Sequence, residues 1–203
     1  MANQLKADAA EKLIACARSE FLEKGYESAS LRAIAAKAGV STYLIYERFA
    51  DKAGLLDAVV RPARERLIEA YDQEMRRFNE FSPDAPYGEM VDYSTDNCRR
   101  IIDVLYDDFD TFRLIVVNPV ETRLEDLLHA LVEIHTRQVH IYFDALGSDV
   151  LTRVSPDLLH IVTTALFSGL LEVVRHGMDR DTALTYYRQL LQYYMTGFQA
   201  FLE

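Results

Sequence analysis

Residues 34–49, IAAKAGVSTYLIYERF, decide how this chain is to be read. Ile34, Ala35 and Ala38 lie three and four apart, as do Ile45 and Phe49, so the stretch predicts two short helices that each bury one side. Between them Ala38-Gly39-Val40-Ser41 supplies the turn. Gly39 permits a left-handed bend, Val40 fills the angle between the helices, and Ser41 is expected to cap the second. Two helices joined this way form a helix-turn-helix, whose second helix presents its first residues to base edges in the major groove. Those residues are Thr42, Tyr43 and Leu44, with Ser41 at the helix start. Tyr46, Arg48 and Lys52 fall on the same side or just beyond it, where phosphate oxygens would lie. The bland reading is a helical hairpin with a glycine in its turn. Two tyrosines beside Arg and Lys on a short, polar-capped helix argue against it, because a purely structural surface helix has little use for them.

Upstream, Leu13, Ile14, Ala17, Phe21 and Leu22 mark the buried face of a helix over residues 6–24, stopped by Gly25. Ser30 is placed to cap a helix over residues 31–38. Downstream, Asp51 opens a further helix with Leu55, Leu56, Val59 and Leu67 on its inner stripe, and Pro62 predicts a kink near Ala58 or a local break. Residues 81–88, with Pro83 and Pro86, read as a linker. Beyond it the periodicity predicts helices over residues 89–106, 109–117, 120–146, 156–177 and 181–201. No strand pattern of useful length and no internal repeat occurs. The expectation is an all-α fold of about nine helices, divided into a helix-turn-helix domain at residues 1–52 and a second helical domain at residues 53–203.

Across the 203 residues the formal charge is −10, which argues against nucleic acid until its distribution is considered. Residues 1–55 carry eight Lys and Arg against seven Asp and Glu, and all five lysines fall there. The remainder carries 14 against 25. An acidic body behind a locally basic head would repel a DNA backbone everywhere except at the head. Cys16 and Cys98 have no metal or redox spacing, and the polar N-terminus has no signal-peptide character, so a cytoplasmic protein that does not enter membranes is expected.

The order Ile14, Ala17, Phe21, Gly25-Tyr26, Ser30-Leu31, Ile34-Ala35, Ala38-Gly39-Val40-Ser41, Tyr46, Phe49, Lys52, Leu55-Leu56 resembles the N-terminal DNA-binding domain of the TetR (tetracycline repressor) family. The resemblance covers roughly residues 10–60. It implies that Arg32, Thr42, Tyr43, Tyr46, Arg48 and Lys52 contact operator DNA. It also implies a homodimer, usually a repressor, that a small-molecule effector releases from DNA. Where many members carry Lys-Gly-Thr-Leu-Tyr, this chain has Thr42-Tyr43-Leu44-Ile45-Tyr46, so its operator is expected to differ. A thymine methyl is a fitting partner for Tyr43 or Leu44. Glu47 is expected to pair with Arg48 or Lys52 rather than to read a cytosine amine.

Seventeen of the 22 aromatic residues follow residue 60. Tyr106, Phe109, Phe112, Tyr142, Phe143 and Phe167, with His135, are candidates for a ligand pocket, although core packing explains any one of them. His129 and His140 share a face of one long helix but stand about 16 Å apart, too far to share a metal ion. Asp103, Asp107, Asp108 and Asp110 read as a solvated helix end rather than a metal site. No phosphate loop, nucleophile elbow or zinc spacing occurs, and no cofactor, metal or enzymatic activity is expected. The helix over residues 156–175 is apolar nearly all round and needs cover on two sides. Leu158, Ala165, Ser168 and Gly169, with Tyr194 and Phe198 of the last helix, are candidates for a four-helix dimer interface. A small all-α enzyme or ligand carrier, with the hairpin as scaffolding, is the alternative.

Overall fold

A computed structural model describes residues 2–80, 87–145 and 147–200. Among them every regular element is a helix: α1 (Ala2–Ser28), α2 (Leu31–Ala38), α3 (Thr42–Phe49), α4 (Lys52–Asn79), α5 (Tyr87–Asn97), α6 (Arg99–Asp107), α7 (Phe109–Val117), α8 (Leu124–Ala145), α9 (Val150–Arg153), α10 (Pro156–Arg175) and α11 (Arg180–Gln199). The all-α expectation holds. The helices number eleven rather than nine because α9 is an extra single turn and because the segment read as one helix over 89–106 is two. Its break falls at Cys98. The Thr95 carbonyl, which the Arg99 amide would use in a continuous helix, accepts from Cys98 Sγ at 2.9 Å and Arg188 Nε at 3.2 Å instead. Most of the linker read at residues 81–88 lies outside the described residues, as do Leu146 and Phe201.

The chain forms two compact units. The first comprises residues 1–65 and 108–124, that is α1–α3, the start of α4, and α7 with the turn after it. Its core joins Leu13, Ala17 and Phe21 of α1 to Ile34, Ile45, Leu55, Leu56 and Phe112, all without exposed surface. Ser30 Oγ accepts from the Ala33 amide, as its capping role requires. Gly39 takes φ 71° and closes α2 with its amide on the Ala36 carbonyl. That conformation would strain any residue carrying a Cβ. Ser41, in contrast, makes no side-chain cap; only its carbonyl enters the ladder, accepting from Leu44. Gly25 takes φ 75° with ψ 164°, which kinks the chain but is not the left-handed helical stop, and one more turn follows as far as Ser28. Arg18 fastens α1 to α7, donating to Asp108 at 2.6 Å and Thr111 at 3.1 Å.

Between α3 and α4 the chain turns on Ala50, at φ 64° and ψ −49°, with the Asp51 amide on the Phe49 carbonyl at 2.7 Å. This is the rare and strained form of the three-residue γ-turn. Asp51 then accepts from the Gly54 amide at 2.8 Å and starts α4. The turn aims the Phe49 carbonyl back at Gly54, where a Cβ would stand 1.9 Å from its oxygen. The helix continues through Pro62, so no break occurs there. Arg64 bridges Asp57 and the Thr122 carbonyl within the same unit.

The second unit comprises residues 66–107 and 125–203. Its buried residues include Ile102 and Leu105 of α6, Leu131 of α8, Phe167 and Leu170 of α10, and Tyr187 of α11. Ser155 caps α10 through its hydroxyl, with Pro156 at the first helical position. Gly169 lies where α10 meets α11: a Cβ there would stand 2.8 Å from a Leu190 methyl, and its carbonyl accepts from the Tyr186 hydroxyl at 3.1 Å. The close approach read at Gly169 therefore serves packing within one chain.

Candidate nucleic-acid interface and ligand cavity

Helix α3 is anchored by Ile45, which has no exposed surface, and this directs its opposite side outward. Tyr43 is 71% exposed and Tyr46 56%, unusual values for aromatic rings on a structural helix. Thr42 and Leu44 are half-buried, Ser41, Glu47 and Arg48 are exposed, and Arg32 stands exposed on α2. The head thus offers two phenols and two guanidinium groups on neighbouring helices.

Three of its lysines are used otherwise. Glu20 has no exposed surface, accepts from Lys24 at 2.7 Å and Lys37 at 2.8 Å, and is held down to about 2 chiefly by those two hydrogen bonds. Lys52 donates to the Glu27 carbonyl at 2.9 Å and lies 4.7 Å over the Tyr26 ring. It clamps α4 to the end of α1, and the Glu47 pairing expected with Arg48 or Lys52 does not form among the described residues. The reason is reach: the Lys52 stem already lies across Tyr26. Sequence reasoning missed Glu20, yet its position three after Ala17 and seven after Leu13 places it on the inner face of α1.

In the second unit, α4, α5, α8 and α11 surround a cavity of about 110 Å³. His135, Tyr142 and Phe143 line it, as expected from the sequence. Four other candidates do not. The Tyr106 hydroxyl donates to the Met178 carbonyl at 2.7 Å. Phe109 and Phe112 belong to α7 in the first unit, where Phe112 is core. Phe167 is fully buried behind the lining, edge-on to Tyr71 with ring centroids 4.9 Å apart. Tyr194 and Phe198, read as interface residues, also line this cavity. Apolar spacing alone does not tell which face of α11 looks inward. Tyr71, Phe78 and Tyr93 were missed; Tyr71, Met75 and Phe78 extend the inner stripe of α4 beyond Leu67 at spacings of three and four, and that was the available signal.

A hydrogen-bond chain runs along the cavity. The Tyr71 hydroxyl is 2.7 Å from His135 Nδ1, His135 Nε2 is 2.9 Å from the Tyr194 hydroxyl, and that hydroxyl is 3.1 Å from Thr163 Oγ1. Burial pushes the His135 imidazole down to about 4 and the Tyr71 phenol well above its ordinary range, so both are neutral around neutrality. The other histidines of α8 differ: His129 is exposed and faces Glu133 at 3.2 Å, and His140 is exposed. The acidic residues flanking α6 and α7 go to separate ion pairs, Asp103 with Arg180 at 2.5 Å and Asp108 with Arg18. Among the described residues no three His, Cys, Asp or Glu groups are placed to hold a metal ion.

A helix-turn-helix head with outward tyrosines and arginines has the geometry of a DNA-binding module. Residues 9–59 match the family of bacterial regulatory proteins described as the tetR family. The chain is 36% identical over 86 residues to the HTH-type transcriptional regulator BetI of Ectopseudomonas mendocina (strain ymp), covering 42% of this chain. It spans only 44% of the length of that relative. Its fold is similar to that of a bacterial regulatory protein in the tetR family from Rhodococcus RHA1, with a TM-score of 0.62 and 19% identity over 92% of this chain and 96% of the other. It is similar too to the TetR family transcriptional regulator PfmR from Thermus thermophilus, with a TM-score of 0.59 and 18% identity over 89% and 97%. Residues 9–59 are thus similar to the DNA-binding domain of the tetR family, and the relative BetI is a transcriptional regulator.

Proposed function

We propose that this chain binds a palindromic operator as a homodimer in the cytoplasm, represses transcription, and leaves the DNA when a small molecule fills its cavity. In this reading residues 1–52 are the DNA-binding domain and residues 53–203 the ligand-binding and dimerisation domain. The observation that carries it is the exposure of Tyr43 and Tyr46 on a helix whose other face is anchored by Ile45. Thr42, Tyr43 and Leu44 face base edges; Ser41, Tyr46, Arg32 and Arg48 face phosphates. Two such helices set about 34–36 Å apart by a two-fold axis match one turn of duplex. A ligand preferring a conformer with another separation draws the population off DNA.

Purified protein should enrich a palindrome from fragmented genomic DNA; no enrichment at low or moderate salt would refute the reading. Tyr43→Ala should change the ranking of operator variants. Arg48→Ala should weaken all sequences alike and lower the slope of log affinity against log salt by about 2, one phosphate contact being lost from each protomer. Lys52→Ala should act through stability, because its ammonium is already held by Glu27 and Tyr26.

The dimer reading is supported by α10. Leu158 and Ile161 are 38% and 62% exposed, Ala165 and Ser168 are exposed beside them, and Tyr193 of α11 is 81% exposed. An apolar face of this kind is costly to leave in water. Ile161→Arg should yield a monomer in sedimentation and lose operator affinity at least tenfold; a dimer that persists with affinity intact would move the interface elsewhere.

A further inference from the structure

We infer that the cavity takes an uncharged aromatic or alicyclic molecule of roughly ten non-hydrogen atoms that carries one hydroxyl or carbonyl, recognised through the chain Tyr71–His135–Tyr194–Thr163. The inference rests on the reading of this cavity as the effector site.

Charge is decided by what the walls lack. Among the lining residues Glu74 is the one carboxylate, and it already meets Arg77 at 2.9 Å and Arg100 at 3.1 Å. His135 lies between two hydroxyls and is uncharged at neutral pH. Among the described lining residues a ligand ion finds no free counter-charge, and burying an ion unpaired is strongly unfavourable. The aromatic faces return only part of that cost to a cation. The shape is set by ring walls: Phe78 and Tyr142 stand 5.3 Å apart and Phe143 and Phe198 5.6 Å, measured between centroids. The volume is roughly ten times what a single water requires, which suits a molecule of one or two rings.

The oxygen is decided by counting hydrogens. A neutral imidazole has one N–H and one bare nitrogen, so the chain runs in one of two directions. In the first, Tyr71 donates to Nδ1, Nε2–H donates to Tyr194, and Tyr194 donates to Thr163. In the second, every bond is reversed and the Tyr71 hydrogen is left to place. Tyr71, His135 and Tyr194 line the cavity and Thr163 does not, so the Tyr71 end is the one that meets a ligand. A ligand hydroxyl donates to Tyr71 and selects the first direction; a ligand carbonyl accepts from Tyr71 and selects the second.

The test is equilibrium dialysis of the full chain against five matched bicycles: tetralin, 1-tetralol, 1-tetralone, 1-aminotetralin as its ammonium, and the tetralin-1-carboxylate anion. The alcohol and ketone should bind once per chain, about tenfold tighter than tetralin or better, with both ions at least tenfold weaker than the alcohol. Tyr71→Phe should abolish the preference for oxygen, so that the alcohol and ketone bind no tighter than tetralin. Thr163→Val removes the acceptor needed by the first direction and should turn the preference toward the ketone; this swap decides the matter if Tyr71→Phe loses tetralin as well. Tightest binding of either ion, no binding of any member, or an alcohol-to-ketone ratio unmoved by Thr163→Val overturns the inference. Binding in the expected order with no effect on DNA association would instead remove the effector reading and leave the ligand class standing.

Discussion

Gly54→Ala is expected to lower the stability of the head by about 3 kcal/mol or more, although the same exchange inside an ordinary helix raises it by about 1 kcal/mol. The γ-turn at Ala50 folds the Phe49 carbonyl over the first turn of α4, and the new Cβ would meet its oxygen at 1.9 Å. A backbone carbonyl has no rotamer by which to retreat, so the turn or the end of α3 has to move. Gly197, within α11, is the control: a Cβ there meets nothing within 4 Å, so Gly197→Ala should stabilise by about 0.5–1 kcal/mol. Urea unfolding of the two variants should shift in opposite directions, with a fall in melting temperature of roughly 6–12 °C for Gly54→Ala. Operator affinity should fall with it, since Phe49 ends the helix that carries Tyr43 and Tyr46. Similar gains at both positions would contradict the junction described.

Acid should remove on the order of 3 kcal/mol from the second unit between pH 6.5 and 4. His135 titrates at about 4 in the folded chain, driven down by burial, against an ordinary 6.5. Above pH 6.5 neither state binds the proton and stability is whole. As pH falls below that, the unfolded chain takes up a proton that the folded chain refuses, and stability drops until the folded imidazole also titrates near 4. His135→Gln keeps a hydrogen-bonding group between Tyr71 and Tyr194 and has nothing to titrate, so the slope across this window should vanish. Glu20 acts in a lower window and in the first unit. Its carboxylate is held at about 2 against an ordinary 4.5, so its contribution is whole above 4.5 and is lost as pH falls toward 2. Glu20→Gln should leave the step above pH 4.5 untouched. A slope that survives in His135→Gln would mean that another group titrates in the buried network.

Much of the head was legible in the residues themselves. Ser30, Gly39, Ile34 and Ile45 act through local geometry: a hydroxyl three residues before an amide, a backbone angle that a side chain would strain, a repeat matching the helix turn. α2 and α3 accordingly run as the spacing predicts, over Leu31–Ala38 and Thr42–Phe49. The exposure of Tyr43 and Tyr46 also follows from periodicity once Ile45 is placed inside.

The partners of charged and aromatic groups belong to another level. Five lysines in the first quarter of the chain suggest a basic surface, but Lys24 and Lys37 close on Glu20 and Lys52 crosses to Glu27, so the arginines remain for phosphate. Which of seventeen aromatics enclose a cavity, and that Tyr194 turns its hydroxyl toward His135, was equally out of reach. Helix periodicity is a local property carried by a few neighbouring residues. Partnership between groups 17, 25 or 59 positions apart exists only after the helices have packed, and no local pattern encodes it.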